Sequence, residues 1–152
     1  MPRLDALPSN ARPLHVRVGS GLALLGYDVA SDTWHPGDRL ELTLYWQASA
    51  RQDVSYKVFV HLVDPNGQIV AQRDSVPLNW GYPTTEWEPG EVVADPIRLP
   101  LGRQLAPGLY QVFVGMYEEA TGRRLRLSRN GQPVPDDRLP LMQVSVRQAG
   151  ES

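Results

Sequence analysis

The side chains best suited to chemistry lie close together in one segment. Asn79-Trp-Gly-Tyr-Pro-Thr-Thr-Glu-Trp-Glu-Pro-Gly90 gathers Trp80, Tyr82 and Trp87 with Asn79 and Glu86, a few residues after Arg73-Asp74. Aromatic rings offer flat apolar faces to sugar C–H groups, and neighbouring amides and carboxylates hydrogen-bond the hydroxyls. These seven residues, with His61 on an adjacent strand, therefore form the candidate ligand-binding set. The stretch 76–90 is also longer than a simple connection, as functional or self-packed loops are. A packing role competes for the same residues. Trp87-Glu-Pro-Gly90 suits a ring that anchors a loop before a strand, and Arg73-Asp74 suits a local ion pair. The sequence leaves open whether Trp80 and Trp87 are core or surface.

Other chemistry finds less footing. His15, His35 and His61 stand on separate elements without the close spacing of zinc ligands, so no metal site is expected. Asp64-Pro-Asn-Gly67 lacks the further oxygens of a calcium loop, and Asp136-Asp137 reads as a solvated turn. There is no Cys, no G-x-S-x-G elbow and no glycine-rich phosphate loop, so neither a cofactor nor a catalytic centre is implied. Asp74 with Glu86, or Glu88 with Asp95, could serve a hydrolase only if they faced each other across a cleft. The expectation is a noncatalytic domain.

Composition narrows the partners. Fifteen basic against seventeen acidic residues give a formal charge of −2 without a long run of either sign, which argues against nucleic acid. No stretch of about 18 apolar residues occurs, so no membrane insertion by this chain is expected. The first residues also lack the apolar core of a signal peptide. A glycan or a protein partner is left.

Thirteen Gly and fourteen Pro cut the chain into short runs, the pattern of strands separated by turns. Leu40, Leu42, Leu44 and Trp46 alternate with polar neighbours and give the clearest strand. Asp64-Pro-Asn-Gly67 predicts a hairpin between 54–64 and 68–73. Leu105-Ala-Pro-Gly-Leu-Tyr110 predicts a tyrosine corner. Eight or nine strands with no helices favour an all-β, two-sheet antiparallel sandwich of immunoglobulin or fibronectin III type, with a jelly roll as the alternative. The domain is expected over 14–147, after a loose lead-in at 1–13 and before a disordered tail at 148–152.

Two strands are apolar on both faces. Tyr56, Val58, Val60 and Leu62 share one face with Tyr110, Val112, Val114 and Met116, which sends Phe59, His61 and Val63 to the other beside Phe113, Gly115 and Tyr117. Either the 76–90 segment folds over that outer face, or Tyr45, His61 and Tyr117 make an open aromatic platform.

The ordered phrases Leu25-Gly-Tyr-Asp28, Pro36-Gly-Asp38, Leu42-Thr-Leu-Tyr-Trp-Gln47, Val58-Phe-Val-His-Leu62, Ala71-Gln-Arg-Asp74, Pro83-Thr-Thr-Glu-Trp-Glu-Pro-Gly-Glu91 and Pro107-Gly-Leu-Tyr110 to Val114-Gly-Met-Tyr117 span most of residues 20–128. They resemble the C-terminal extracytoplasmic β-sandwich segment of bacterial multi-pass membrane glycosyltransferases of the dolichyl-phosphate-mannose mannosyltransferase type. The resemblance implies an extracytoplasmic location and an accessory role, not glycosyl transfer. Three functions follow for comparison: a noncatalytic module that binds or positions glycans for such an enzyme; a structural or protein-interaction domain without a small-molecule ligand; and, least supported, a hydrolase.

Overall fold

Alternating apolar residues build two facing sheets in the computed structural model, which describes residues 3–4 and 6–148. The larger sheet contains β1 (Arg3–Leu4), β2 (Arg12–Val18), β3 (Leu22–Val29), β5 (Arg39–Ala48), β8 (Val92–Pro100), β10 (Leu127–Arg129) and β11 (Gln132–Pro133), in the order β1-β8-β5-β3-β2-β10-β11. The smaller contains β4 (Thr33–Trp34), β6 (Tyr56–Val63), β7 (Ile69–Ser75), β9 (Gly108–Glu118) and β12 (Leu139–Val146), in the order β4-β12-β9-β6-β7. All pairings are antiparallel except β4 with β12. The all-β sandwich is as expected.

The core lies between the sheets. Leu40, Leu42, Leu44 and Trp46 of β5 meet Val58, Val60 and Leu62 of β6 and Tyr110, Val112, Val114 and Met116 of β9 in one buried cluster. Turn chemistry sets the registers. Asp64 Oδ1 accepts the amides of Asn66 and Gln68, both at 2.9 Å, and Gly67 takes a left-handed φ of 84°. The Tyr110 hydroxyl donates to the Ala106 carbonyl at 2.6 Å, completing the tyrosine corner.

Twelve strands occur among the described residues rather than eight or nine. The surplus consists of short edge pieces. In the other direction, 91–95 and 97–99 merge into β8, which runs through Pro96 opposite Thr43. Pro96 is tolerated because β1 pairs only with Val92 and Val93, leaving that edge of β8 open where an amide is missing. The stretch read as a loose lead-in contributes β1 and the start of β2. Of the tail, residues 149–152 lie outside the described residues.

Gly115 on β9 pairs with Phe59 on β6. A Cβ at 115 would sit 2.5 Å from Phe59 Cζ and 3.0 Å from the Asp137 carbonyl oxygen, so the missing side chain is what admits the ring. Gly115→Ala is expected to cost about 1–3 kcal/mol through forced displacement of Phe59. A urea midpoint equal to that of the parent would contradict it.

Candidate functional site

The 76–90 segment separates its aromatic residues into two environments. Trp87 is fully buried, and its indole N–H donates to the Tyr82 carbonyl at 2.9 Å. Tyr82 is also buried, its hydroxyl donating to Glu91 Oε1 at 2.5 Å. Thr84 begins a single 3-10 turn, Thr84–Glu86; its hydroxyl accepts the Tyr56 amide at 3.1 Å and donates to the Val54 carbonyl at 2.7 Å. Trp87 and Tyr82 are therefore core members, which corrects their place in the expected binding set. Glu86 is exposed on the same turn.

Trp80 has the opposite fate. Its side chain is 57% exposed, at the end of three successive non-glycine residues in left-handed backbone, Leu78 (φ 56°), Asn79 (φ 52°) and Trp80 (φ 72°). Each such residue costs on the order of 1 kcal/mol, Asn least. The turn closes through Trp80 N–H to the Val76 carbonyl at 3.0 Å and Gly81 N–H to the Leu78 carbonyl at 2.9 Å. It is fastened from below by Asp95, a buried carboxylate on β8. Asp95 Oδ1 accepts the Leu78 amide at 2.8 Å, and Oδ2 accepts the Trp46 indole N–H at 3.3 Å. Burial pushes the Asp95 pKa up to about 6, against the pull of those two hydrogen bonds and the charge of Arg73.

Around the exposed ring stand groups able to meet a polar ligand. Lys57, the sole lysine, holds Nζ 4.7 Å from the Trp80 ring centroid and 2.6 Å from Glu119 Oε2. A groove of about 550 Å³ runs beside them, lined by Ser55, Lys57, Val76, Trp80, Glu118 and Glu119. On another side Arg73 Nη2 donates to Asn79 Oδ1 at 3.4 Å, beside a cleft of about 340 Å³ shared with Pro96 and Arg98. Arg73 thus bonds Asn79 rather than forming the local ion pair with Asp74, because neighbouring strand residues point to opposite faces.

Asp74 and His61 instead share the outer face of the smaller sheet. Asp74 Oδ1 accepts from Gln72 Nε2 at 3.4 Å, and its carboxylate lies near the Tyr117 phenol. Burial, followed by the neighbouring Asp74 carboxylate, pushes the Tyr117 phenol up to about 12. Phe59 is 2% exposed, with its ring centroid 4.8 Å from that of His61 and 6.3 Å from that of Tyr117.

The cover over this face differs from the expected one. It is arginine, not the 76–90 segment. Arg124 lies 4.7 Å from the Phe59 centroid and Arg138 lies 3.9 Å from the Phe113 centroid. Arg138 Nη1 is 3.3 Å from His61 Nδ1. Burial, then the charges of Arg138 and Arg124, hold the His61 pKa below its ordinary value. Tyr45 leaves the expected platform altogether, since it packs with Ala11 and Val92 on the far side of the larger sheet.

Lys57, Phe59 and His61 alternate onto one face of β6, and Lys57 pairs with Tyr117 across to β9. Trp80 stacks on Lys57 at the end of that row. The structure consequently joins Trp80, Asp74 and His61 along one face, sets Asn79 and Arg73 beside it, and withdraws Tyr82 and Trp87 into the core. Lys57, Glu119, Arg124 and Arg138 were missed. Only Lys57 had a signal, its period-2 place in the strand of Phe59 and His61.

Of the carboxylate pairs weighed for hydrolysis, Glu88 pairs with Arg51 at 3.1 Å while Asp95 is buried against Trp46 and Leu78. Among the described residues no group of three or more His, Asp or Glu could hold a metal ion, and no helix is long and apolar enough to cross a membrane.

No protein-family model matches the chain, and no curated protein matches it. Solved structures do. The C-terminal domain of Wzt aligns with 13% identity and a TM-score of 0.61 over 92% of this chain and 82% of that one. The alkylpurine DNA glycosylase AlkC of Pseudomonas fluorescens aligns with 14% identity and a TM-score of 0.46 over 88% of this chain and 31% of its own. A CARDB domain from Pyrococcus furiosus, solved with two metal ions, aligns with 16% identity and a TM-score of 0.44 over 91% and 95%. The likeness to the Wzt domain is one of fold, and it agrees with the two-sheet architecture.

Proposed function

We propose that this domain is a noncatalytic accessory module that binds a glycan along the outer face of its smaller sheet, with Trp80 as the stacking platform. In the setting implied by the sequence resemblance, it holds or positions that glycan for a membrane glycosyltransferase outside the cytoplasm. The observation that carries the reading is the presentation of Trp80. A large aromatic side chain is held out in solvent by strained backbone, and a buried carboxylate fastens the strain in place. Packing alone gives no reason for that expenditure. Lys57 occupies one face of the indole, which leaves the other to sugar C–H groups. Glu119, Asp74 and Gln72 supply hydroxyl partners nearby. A protein-interaction role loses support because Phe59 and His61, aromatic residues that would have needed a partner, are covered by arginines of the same chain.

The test is titration of the domain with a broad panel of neutral oligosaccharides, followed by amide chemical shifts. Binding is expected with shifts around residues 57, 80 and 117. Trp80→Ala is expected to weaken it by about tenfold or more, the loss of one aromatic stacking contact. Silence across the panel, or unchanged affinity in Trp80→Ala, would overturn the reading.

A further inference from the structure

We infer that the ligand of this face carries an anionic group, a carboxylate or a phosphate ester, read by Arg124 and Arg138. The inference rests on the glycan-binding reading of the same face and adds the charge of its ligand.

Two guanidinium groups stand on this face, stacked on Phe59 and Phe113. Stacking uses the flat side of a guanidinium and leaves its in-plane donors to be satisfied. Arg124 satisfies one, Nη1 donating to the Asp136 carbonyl at 3.0 Å. Arg138 places Nη1 against His61 Nδ1, and its Nε is buried with no hydrogen-bond partner. Like charges set close together on one face repel; the Asp136 charge partly offsets that on Arg138, yet no carboxylate bonds to either guanidinium. Asp136 offers Arg124 only its backbone oxygen, and Asp137 Oδ1 is taken by the Leu127 amide at 3.0 Å. Among the described residues neither Arg124 nor Arg138 forms an ion pair within 4 Å.

The same holds for Arg123 and Arg126, which with Arg124 line an open groove of about 960 Å³ beside the face. Set against Asp136 and Asp137, the four arginines leave a local excess of two positive charges in a chain of net charge −2. His61 fits the assignment. Kept neutral by burial and by the two arginines, its ring is an acceptor that orients Arg138 without adding a third charge. Planar forked donors on a partly desolvated floor suit the two oxygens of a carboxylate or phosphate. From Lys57 to His61 the strand advances about 13 Å, so a ligand that reaches from Trp80 to Arg138 is an oligomer rather than a single sugar.

The experiment compares three probes by calorimetry and amide shifts: an oligogalacturonide, its uncharged methyl ester, and inorganic phosphate. The oligogalacturonide is expected to bind about tenfold or more tightly than its ester, with shifts at residues 61, 113, 124 and 138. Arg124→Gln is expected to abolish that preference. Arg124→Lys, which keeps the charge and the cover over Phe59 but lacks the fork, guards against a folding defect and is expected to retain only part of it. Binding of phosphate at these residues without oligogalacturonide binding supports the anion site and assigns it to a phosphate ester. Equal affinity for the acid and its ester, or an unchanged preference in Arg124→Gln, overturns the inference. The two readings fail separately. Neutral sugars bound through Trp80 with no charge preference remove the anion site alone, whereas anion binding untouched by Trp80→Ala removes the glycan platform alone.

Discussion

Trp87→Ala is expected to destabilise the domain by about 3–5 kcal/mol, while Trp80→Ala, seven residues away in the same loop, is expected to change stability by no more than about 0.5 kcal/mol. The first ring is fully buried in the inter-sheet core and donates its indole N–H to Tyr82. Its removal leaves a cavity bordered by strands that cannot collapse into it. The second ring has most of its surface in water and one stacking partner, Lys57. Urea unfolding of both variants checks this, and the pair also validates the binding experiment, since a folded Trp80→Ala is required there. Similar losses in the two variants would mean that Trp80 is packed rather than presented.

Asp95 is expected to make stability depend on pH with a definite sign. Its folded pKa of about 6 lies above the ordinary value of 3.8 because burial disfavours the charged form. Between those values the folded protein binds more protons than the unfolded one, so this group's contribution rises as pH falls and is lost as pH rises through about 6. Relative to Asp95→Asn, which cannot titrate, the parent protein should gain about 1 kcal/mol between pH 7 and pH 5. The gain should approach about 3 kcal/mol below pH 4. Other carboxylates act equally on both proteins and cancel in the difference. Parallel urea midpoints against pH for the two proteins would show that Asp95 titrates normally.

Local chemistry was legible in the sequence, and non-local chemistry was not. The alternation of Leu40 to Trp46, the Asp64-Pro-Asn-Gly67 hairpin and the corner at Tyr110 each depend on neighbours a few residues away, and each formed as the pattern implied. The candidate site depends on distant partners. Asp95 fastens Leu78 and Trp46, 17 and 49 positions off, and Arg138 reaches His61 across 77. Nothing in Leu78-Asn79-Trp80 announces left-handed backbone, since Leu and Trp avoid it and only Asn tolerates it well. With no period in the loop, the contrast between a core Trp87 and an exposed Trp80 could not be drawn. The arginine cover escaped notice for a different reason. Arg124 follows a turn and Arg138 precedes a strand, positions that look solvated until the aromatic floor beneath them is known.

The attachment of the 78–80 turn bears on how such a domain changes over generations. Asp95 grips it by the main-chain amide of Leu78, a group every residue except proline possesses. The anchor is therefore blind to what the turn displays. The residues at 79 and 80 can be exchanged, within what left-handed backbone allows, while the buried carboxylate and the core beneath it stay as they are. What the turn displays and what folds the domain then change on separate schedules.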